Sequence, residues 1–570
     1  MSGFRISAVT LSVLLLLLLP HVAQAQQESG PSSLLPDIDP QDIEIRGDFQ
    51  ARFPGLSRQP ILGFNPRPPV FRVDPDRMPF METDEEIVAA IPISHLEPAL
   101  TPEYRFIQFA DRNRLYAFGG FGSFQSPEVQ IIAESPLRPG ESVAFDMGHH
   151  SSEGHRDFSS FRDLNGNFQW TRQAGKNRWG VGLRGASSFN YSPVPVDTSS
   201  VQEPGRIHSN AFGFQARWQQ LQNAYRGWQA SLSLQYFAGE ASHQAASAHS
   251  MDEIRYRLFI NRFQEGTMAE QIFGFQADLK GSSYQTGRDA SQYWLTNTLG
   301  ARYRHTFSSF HQVEAWLRFY QLYDTTNEFD LYLYPDIYYL YKGARRVTAQ
   351  IRLRGFVSDP SLEMIHSRNR FAIRNKGDLE HERGLHINLN TDVKIFQDLE
   401  VFTGADYYQY YKLGFFKLWD DPLMPYYDFQ YTDEAIHVEW YYGLRYFFDR
   451  IRTTATFRMG LNYTSANKDV IPSEEIPYIP KWNGTAMIKT RPVSWLYLSG
   501  WMDINGKRST GVPNETVDGF IQAGAKAEAR VHPGFGFYIK GRNILDRKYE
   551  VWQGYEERPM QIYGGLTLYW

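Results

Sequence analysis

The chain has 570 residues, 42% of them hydrophobic and 15% aromatic, and a mean hydropathy of −0.46 excludes a bundle of membrane-spanning helices. Its net charge of −5, from 58 basic and 63 acidic residues, provides no field that would favour a nucleic-acid partner. Cysteine is absent, so neither a disulfide framework nor a lipid-modified cysteine near the start is available.

The first element is a leader over residues 1–25. Arg5 precedes the apolar run Val13–Leu19, and Ala23-Gln-Ala25 follows it, the charged start, short apolar middle and small-residue exit of a secretory signal. The run is too short to span a bilayer as a helix. Export into a Gram-negative type of envelope is expected, with the mature chain starting at Gln26.

Residues 26–113 hold 13 of the 31 prolines, including Asn65-Pro-Arg-Pro-Pro69. That density forbids long helices and central strands, so an extended periplasmic segment is expected. One reading is a proline-rich linker. In the other, Asp42-Ile-Glu-Ile-Arg46 forms a short strand, and Glu85-Glu-Ile-Val-Ala-Ala-Ile91 is an edge strand or a peptide that adds to the sheet of a periplasmic or lipoprotein partner.

From Arg114 onward the chain alternates apolar and polar residues in segments of roughly 10 to 15 residues, longer than the strands of a soluble sandwich. The pattern predicts an all-β fold, a transmembrane antiparallel β-barrel of about 22 strands over 114–570. Strands are expected at 114–124, 127–136, 140–151, 161–173, 176–190, 207–221, 226–240, 251–263, 268–284, 291–305 and 309–325. The remaining eleven are expected at 328–342, 345–357, 383–393, 397–412, 436–448, 451–464, 483–492, 494–504, 517–530, 534–547 and 560–570. An even number returns both termini to one side. Short connections such as 174–176, 306–308, 343–345 and 449–450 then face the periplasm, and 191–206, 358–382, 413–435 and 465–482 face outward.

The last strand sets Ile562, Leu566, Leu568 and Trp570 on one face and Tyr563, Thr567 and Tyr569 on the other. An aromatic terminus on such a strand suits a barrel seam in outer-membrane lipid. Gly565, Leu568 and Trp570 read as a signal to the barrel-insertion machinery.

Here the residues resemble the TonB-dependent receptor family. The likeness is carried by Gly541-Arg-Asn-Ile-Leu-Asp-Arg-Lys-Tyr549, Gly554-Tyr555 and Arg558-Pro559. Ile479-Pro-Lys-Trp482, Trp495-Leu-Tyr-Leu498 and Tyr116-Ala-Phe-Gly-Gly-Phe-Gly-Ser-Phe124 extend it. The resemblance implies an outer-membrane receptor for solute passage or reception. Family members carry a globular plug ahead of the barrel and are driven through a short TonB box. Only 88 residues separate Gln26 from the first strand, and their prolines do not suit a folded plug, so a plug-less barrel is expected. Glu86-Ile-Val-Ala-Ala90 is similar to a TonB box over five residues only. The alternative role is a structural or assembly subunit whose N-terminal extension docks periplasmic partners.

Alternation places Arg255, Arg257, Lys280, Arg302, Arg304, Arg318, Arg352, Arg354, Arg445, Arg458, Lys540 and Arg542 on the lumen face, with Asp278, Glu314 and Glu439 among them. They form either an anion-attracting path or cross-strand ion pairs that hold the barrel in shape. Phe415, Phe416, Trp419, Tyr426 and Tyr427, near Asp420-Asp421, read either as an exposed recognition loop or as rings that fold inward to close the lumen or form the membrane-interface belt. His149, His150 and His155 have the ligand types for Zn²⁺ or Cu²⁺, although a solvated loop without a metal is the preferred reading. Gly119-Gly-Phe-Gly122 opens no helix and reads as a hairpin rather than a phosphate loop. No nucleophile and base pair stands out, so neither enzymatic chemistry nor a cofactor is expected.

Overall fold

The computed structural model describes residues 114–191, 205–223, 226–243, 246–265, 271–287, 290–324, 329–343, 346–375, 379–419 and 426–570. The expected leader, the proline-rich extension with its TonB-box-like residues, and Asp420-Asp421 lie outside them.

Twenty-two antiparallel strands close into a barrel. They are β1 (Arg114–Gly122), β2 (Ser126–Arg138), β3 (Glu141–Ser152), β4 (Phe161–Ala174), β5 (Asn177–Tyr191), β6 (Arg206–Asn223), β7 (Arg226–His243) and β8 (Ala246–Glu265). Next come β9 (Gln271–Thr286), β10 (Gln292–Ser308), β11 (His311–Tyr323), β12 (Phe329–Gly343), β13 (Val347–Ser358), β14 (Glu382–Lys394) and β15 (Leu399–Trp419). The ring finishes with β16 (Ala435–Phe448), β17 (Thr453–Ser465), β18 (Trp482–Val493), β19 (Leu496–Asn505), β20 (Phe520–His532), β21 (Phe535–Arg542) and β22 (Gln561–Tyr569). Each expected strand has its counterpart, because alternation over so many residues leaves little freedom of register.

Period-two alternation becomes two chemically different surfaces. Leu232, Leu234 and Tyr236 on β7, and Ile254, Tyr256, Leu258 and Ile260 on β8, are exposed on the outside, an apolar surface of the kind that a membrane barrel presents to lipid. Glu253, Asp278, Thr296 and Thr298, at positions of the other parity on β8 to β10, are buried inside.

The seam is β22, which pairs with β1 on one side and β21 on the other. Gly120 stands opposite Gly565, and a Cβ on Gly565 would collide with the Gly119 carbonyl oxygen. The Tyr538 ring covers these glycines, so two backbones approach closely while an aromatic face replaces the missing side chains. Glu128 on β2 accepts from the Tyr538 hydroxyl at 2.7 Å and pairs with Lys540, which ties β2 to β21 across the seam.

The two ends of the barrel differ. At one, connections such as 309–310, 494–495 and 533–534 are two residues long. At the other, long connections fold back over the lumen. The segment after β13 carries a short helix, α1 (Leu362–Arg368), capped by the Ser361 hydroxyl, which accepts from the Met364 amide at 3.3 Å. Strand β15 runs beyond the expected 412 to Trp419, and Leu413–Trp419 pair with an inner strand, Tyr426–Thr432. That strand pairs in parallel with Ala372–Asn375. Backbone pairing outside the ring explains why residues expected to form a loop remain extended.

Candidate functional site

The candidate site is the lumen, with its braced wall and the cap over its long-loop end. Most of the twelve expected lumen cations meet an acid set by strand register. Arg257 donates to Asp278 at 2.8 and 2.9 Å, and Lys280 lies 2.6 Å from Asp359. Asp336, only 2% exposed, accepts from Arg318 at 2.6 Å and from Arg352 at 2.8 Å. Arg302 meets Glu314 at 2.6 Å, Arg458 meets Glu439 at 2.7 Å and Arg445 meets Glu400 at 3.4 Å. Arg354 donates to the His386 Nδ1 at 3.0 Å, and the other imidazole nitrogen is 2.7 Å from Asp406. Arg255 pairs with Glu363 of the cap.

These pairs add little net stability, since desolvation offsets most of their attraction, yet stripping one partner is costly. Asp336→Ala leaves two guanidiniums without their shared acid. We expect a loss of about 3–5 kcal/mol, measured as faster loss of the compact gel species on heating in detergent.

Two of the twelve stand apart. Arg304 sits directly opposite Glu314, but that carboxylate is taken by Arg302. Arg542 faces the Tyr563 ring at 5.6 Å and has no acidic partner among the described residues.

Over the lumen, Glu253 is the hinge of the cap. Its carboxylate, in a residue 1% exposed, accepts from the hydroxyls of Ser282 at 3.0 Å and Ser361 at 2.9 Å and from the Glu363 amide at 3.3 Å. Glu363 also lies 3.1 Å from Arg184 on β5, and Arg370 lies 3.8 Å from Asp163 on β4. These strands are eight and nine places round the ring from β13, so the segment crosses the lumen to the far wall. Burial pushes the Asp359 carboxyl up, but Lys280, His381 and the Thr296 hydroxyl outweigh it and hold the group below its ordinary range.

The aromatic candidates are part of this cap. Tyr426 and Tyr427 are buried in one apolar core, against which Phe416 and Trp419 pack partly buried, and Phe415 is buried in a second cluster with Leu413, Ile471 and Ile476. Tyr427 donates to the Gln553 carbonyl at 3.0 Å, accepts from the Tyr478 hydroxyl at 3.2 Å and packs on Trp552. Arg508 donates to the carbonyls of Glu550 at 2.6 Å and Val551 at 2.7 Å. Four connections, the described residues of 359–381, the inner hairpin, 466–481 and 543–560, thus interlock around one apolar core anchored on Ile207, Phe237, Met251 and Trp294 of the wall, and 506–519 is tied to them through Arg508.

The histidines do not converge. His149 and His150 belong to β3 and point to opposite faces, while His155 follows in the next connection, 3.9 Å from Glu556. Among the described residues no group of three potential ligands could hold a metal ion. Sequence reasoning missed Glu253, Asp336, Glu128 and Asp359; the first three carry the inward parity of their strands, whereas nothing local marks Asp359 as a partner of β9.

No family model matches the chain, and no curated protein matches its sequence. Solved structures match its fold. The ferric-catecholate import receptor Fiu from K12 E. coli is 10% identical, with 81% of this chain and 82% of that one covered at a TM-score of 0.62. The copper transporter OprC is 10% identical, with 81% of each covered at 0.64. The siderophore receptor PiuA from Acinetobacter baumannii is 7% identical, with 81% and 82% covered at 0.64. At such identities the likeness concerns architecture alone: the chain has the barrel fold of the TonB-dependent receptors.

Proposed function

We propose that this is an outer-membrane, TonB-dependent-receptor-like barrel for solute passage or reception, with its long connections as the outward gate. The short-turn end then faces the periplasm, and residues 26–113 lie there, available to a periplasmic or lipoprotein partner. The observation that supports the reading is the interlocked cap across a barrel of 22 strands. A ring of that size encloses a lumen that needs an occluding body, as 22-stranded transporters do, and here the chain's own loops supply one.

A second reading is supported by the braced wall. Ion pairs such as Asp336 with Arg318 and Arg352 stiffen the ring, which suits a structural or assembly subunit equally well.

Planar-bilayer recording separates the two. The full-length protein should be mostly closed, and a variant with residues 362–379 replaced by a short Gly-Ser linker should show large, stable steps. Silence from a folded deletion variant would remove solute passage and leave the structural subunit. A large steady conductance from the unaltered protein would show that the cap is no gate.

A further inference from the structure

We infer that the lumen carries an anion subsite beneath the cap, formed by Arg542 and Arg558, for a solute bearing a phosphate or several carboxylates. The inference deepens the solute-passage reading and rests on it.

The argument begins with the exception in the wall. Ten of the twelve expected lumen cations have an acidic or imidazole partner, so an unpaired guanidinium is not the habit of this barrel. Arg542 is unpaired, and a second arginine stands near it. Arg558, from the connection into β22, places its guanidinium carbon 4.2 Å from the centre of the Phe161 ring. Its Nη1 is buried with no hydrogen-bond partner among the described residues.

Both charges lie over rings that neighbour one imidazole, that of His150. His150 lies 4.9 Å from the Phe161 ring and 6.1 Å from the Tyr563 ring, and its Nε2 is 3.3 Å from the Tyr563 hydroxyl. Arg542 lies 5.6 Å from the Tyr563 ring, over which Lys540 also lies at 4.6 Å, and both arginines act electrostatically on His150. The nearby acids do not neutralise them. Glu128 is committed to Lys540 and Tyr538, and Asp163 lies against Arg370. Glu557 is within electrostatic reach of Arg558 but makes no ion pair with it, and burial pushes its carboxyl up toward the neutral form.

Two half-buried guanidiniums without committed acids pay a desolvation cost that a bound anion would relieve. Their planar forks suit the paired oxygens of phosphate or carboxylate. The His150 ring and the Tyr563 hydroxyl add a polar contact to the same wall. All of these groups face the lumen, so the ligand is a solute rather than a lipid headgroup.

The test is calorimetric titration of the detergent-purified full-length protein with inorganic phosphate and, separately, with citrate at low ionic strength. Saturable binding of at least one anion is expected. Arg542→Gln with Arg558→Gln should weaken it at least tenfold, while Arg304→Gln, which removes the other unpaired lumen arginine, leaves it within twofold. Arg542→Lys with Arg558→Lys keeps both charges, gives a folded comparison if the glutamine pair does not fold, and should weaken binding by less than the glutamine pair or, without it, by about threefold. No saturable heat from a folded protein would overturn the inference, as would equal losses from Arg304→Gln and the glutamine pair, or undiminished binding in the lysine pair. Conductance is not the readout: binding without conductance removes passage and keeps the site, and conductance without binding does the reverse.

Discussion

Glu253→Ala will open the cap while leaving the barrel closed. The chain has no cysteine, so a single probe at Ala372→Cys reports the event: Ala372 is 1% exposed in the cap core. Reaction of this thiol with a maleimide should be slow in the parent and about a hundredfold faster after Glu253→Ala. The size follows from what the carboxylate holds. Removing it strands the Ser361 hydroxyl, the Glu363 amide at the start of α1 and part of the compensation for Arg255. Stripping one partner from a buried charged network costs about 3 kcal/mol or more, which is roughly a hundredfold in an equilibrium. Ser361→Ala removes only the cap hydroxyl and should raise the rate about fivefold, from about 1 kcal/mol. The compact gel species should survive in both, since the ring's backbone pairing is untouched. If the thiol reacts no faster after Glu253→Ala, the apolar cluster alone holds the cap and the assignment of Glu253 as its hinge fails.

The ring was legible because each strand repeats one instruction. On β16, Trp440, Tyr442, Leu444 and Tyr446 face out and Glu439, Tyr441 and Arg445 face in, and no other register satisfies both faces. Parity also sets the expected lumen cations on one face of their strands. It does not find their partners, which depend on cross-strand register: Arg318 stands opposite Tyr334, yet its charge reaches Asp336, one pleat further. The cap was beyond reach for a different reason. Glu253 and Ser361 are 108 residues apart, and Tyr427 and Gln553 are 126 apart. Neither pairing has a periodic signature, because loops are placed by packing rather than by alternation. The aromatic richness of 413–431 left exposed recognition and inward folding both open, because composition does not say what the rings pack against.

Acidification will loosen the same cap through His366. This side chain, 6% exposed, lies in α1 with Phe237 beside it, its Nδ1 3.4 Å from the Ala372 carbonyl and the Arg370 charge in reach. Burial, reinforced by Arg370 and only partly opposed by the Ala372 carbonyl, pushes the imidazole down from 6.5 to about 4. In the open cap it regains an ordinary value. Between about pH 6.5 and 4 the open form therefore binds a proton that the closed form refuses, and stability falls as pH falls, by at most about 1.4 kcal/mol per unit. His381, lowered by burial against the pull of Asp359, acts in the same direction. Glu557, raised by burial against Arg558 and Arg370, acts oppositely, favouring closure at low pH and losing that contribution as pH rises above 4.5. Asp359, held below its ordinary 3.8, becomes a liability only in stronger acid. At pH 5 the labelling of Ala372→Cys, normalised to the exposed Ser367→Cys so that thiol ionisation cancels, should be roughly thirtyfold faster than at pH 7.5. His366→Gln, which keeps a donor for the Ala372 carbonyl but cannot titrate, should flatten most of that rise; a rise as steep in the variant as in the parent would place the sensitivity elsewhere.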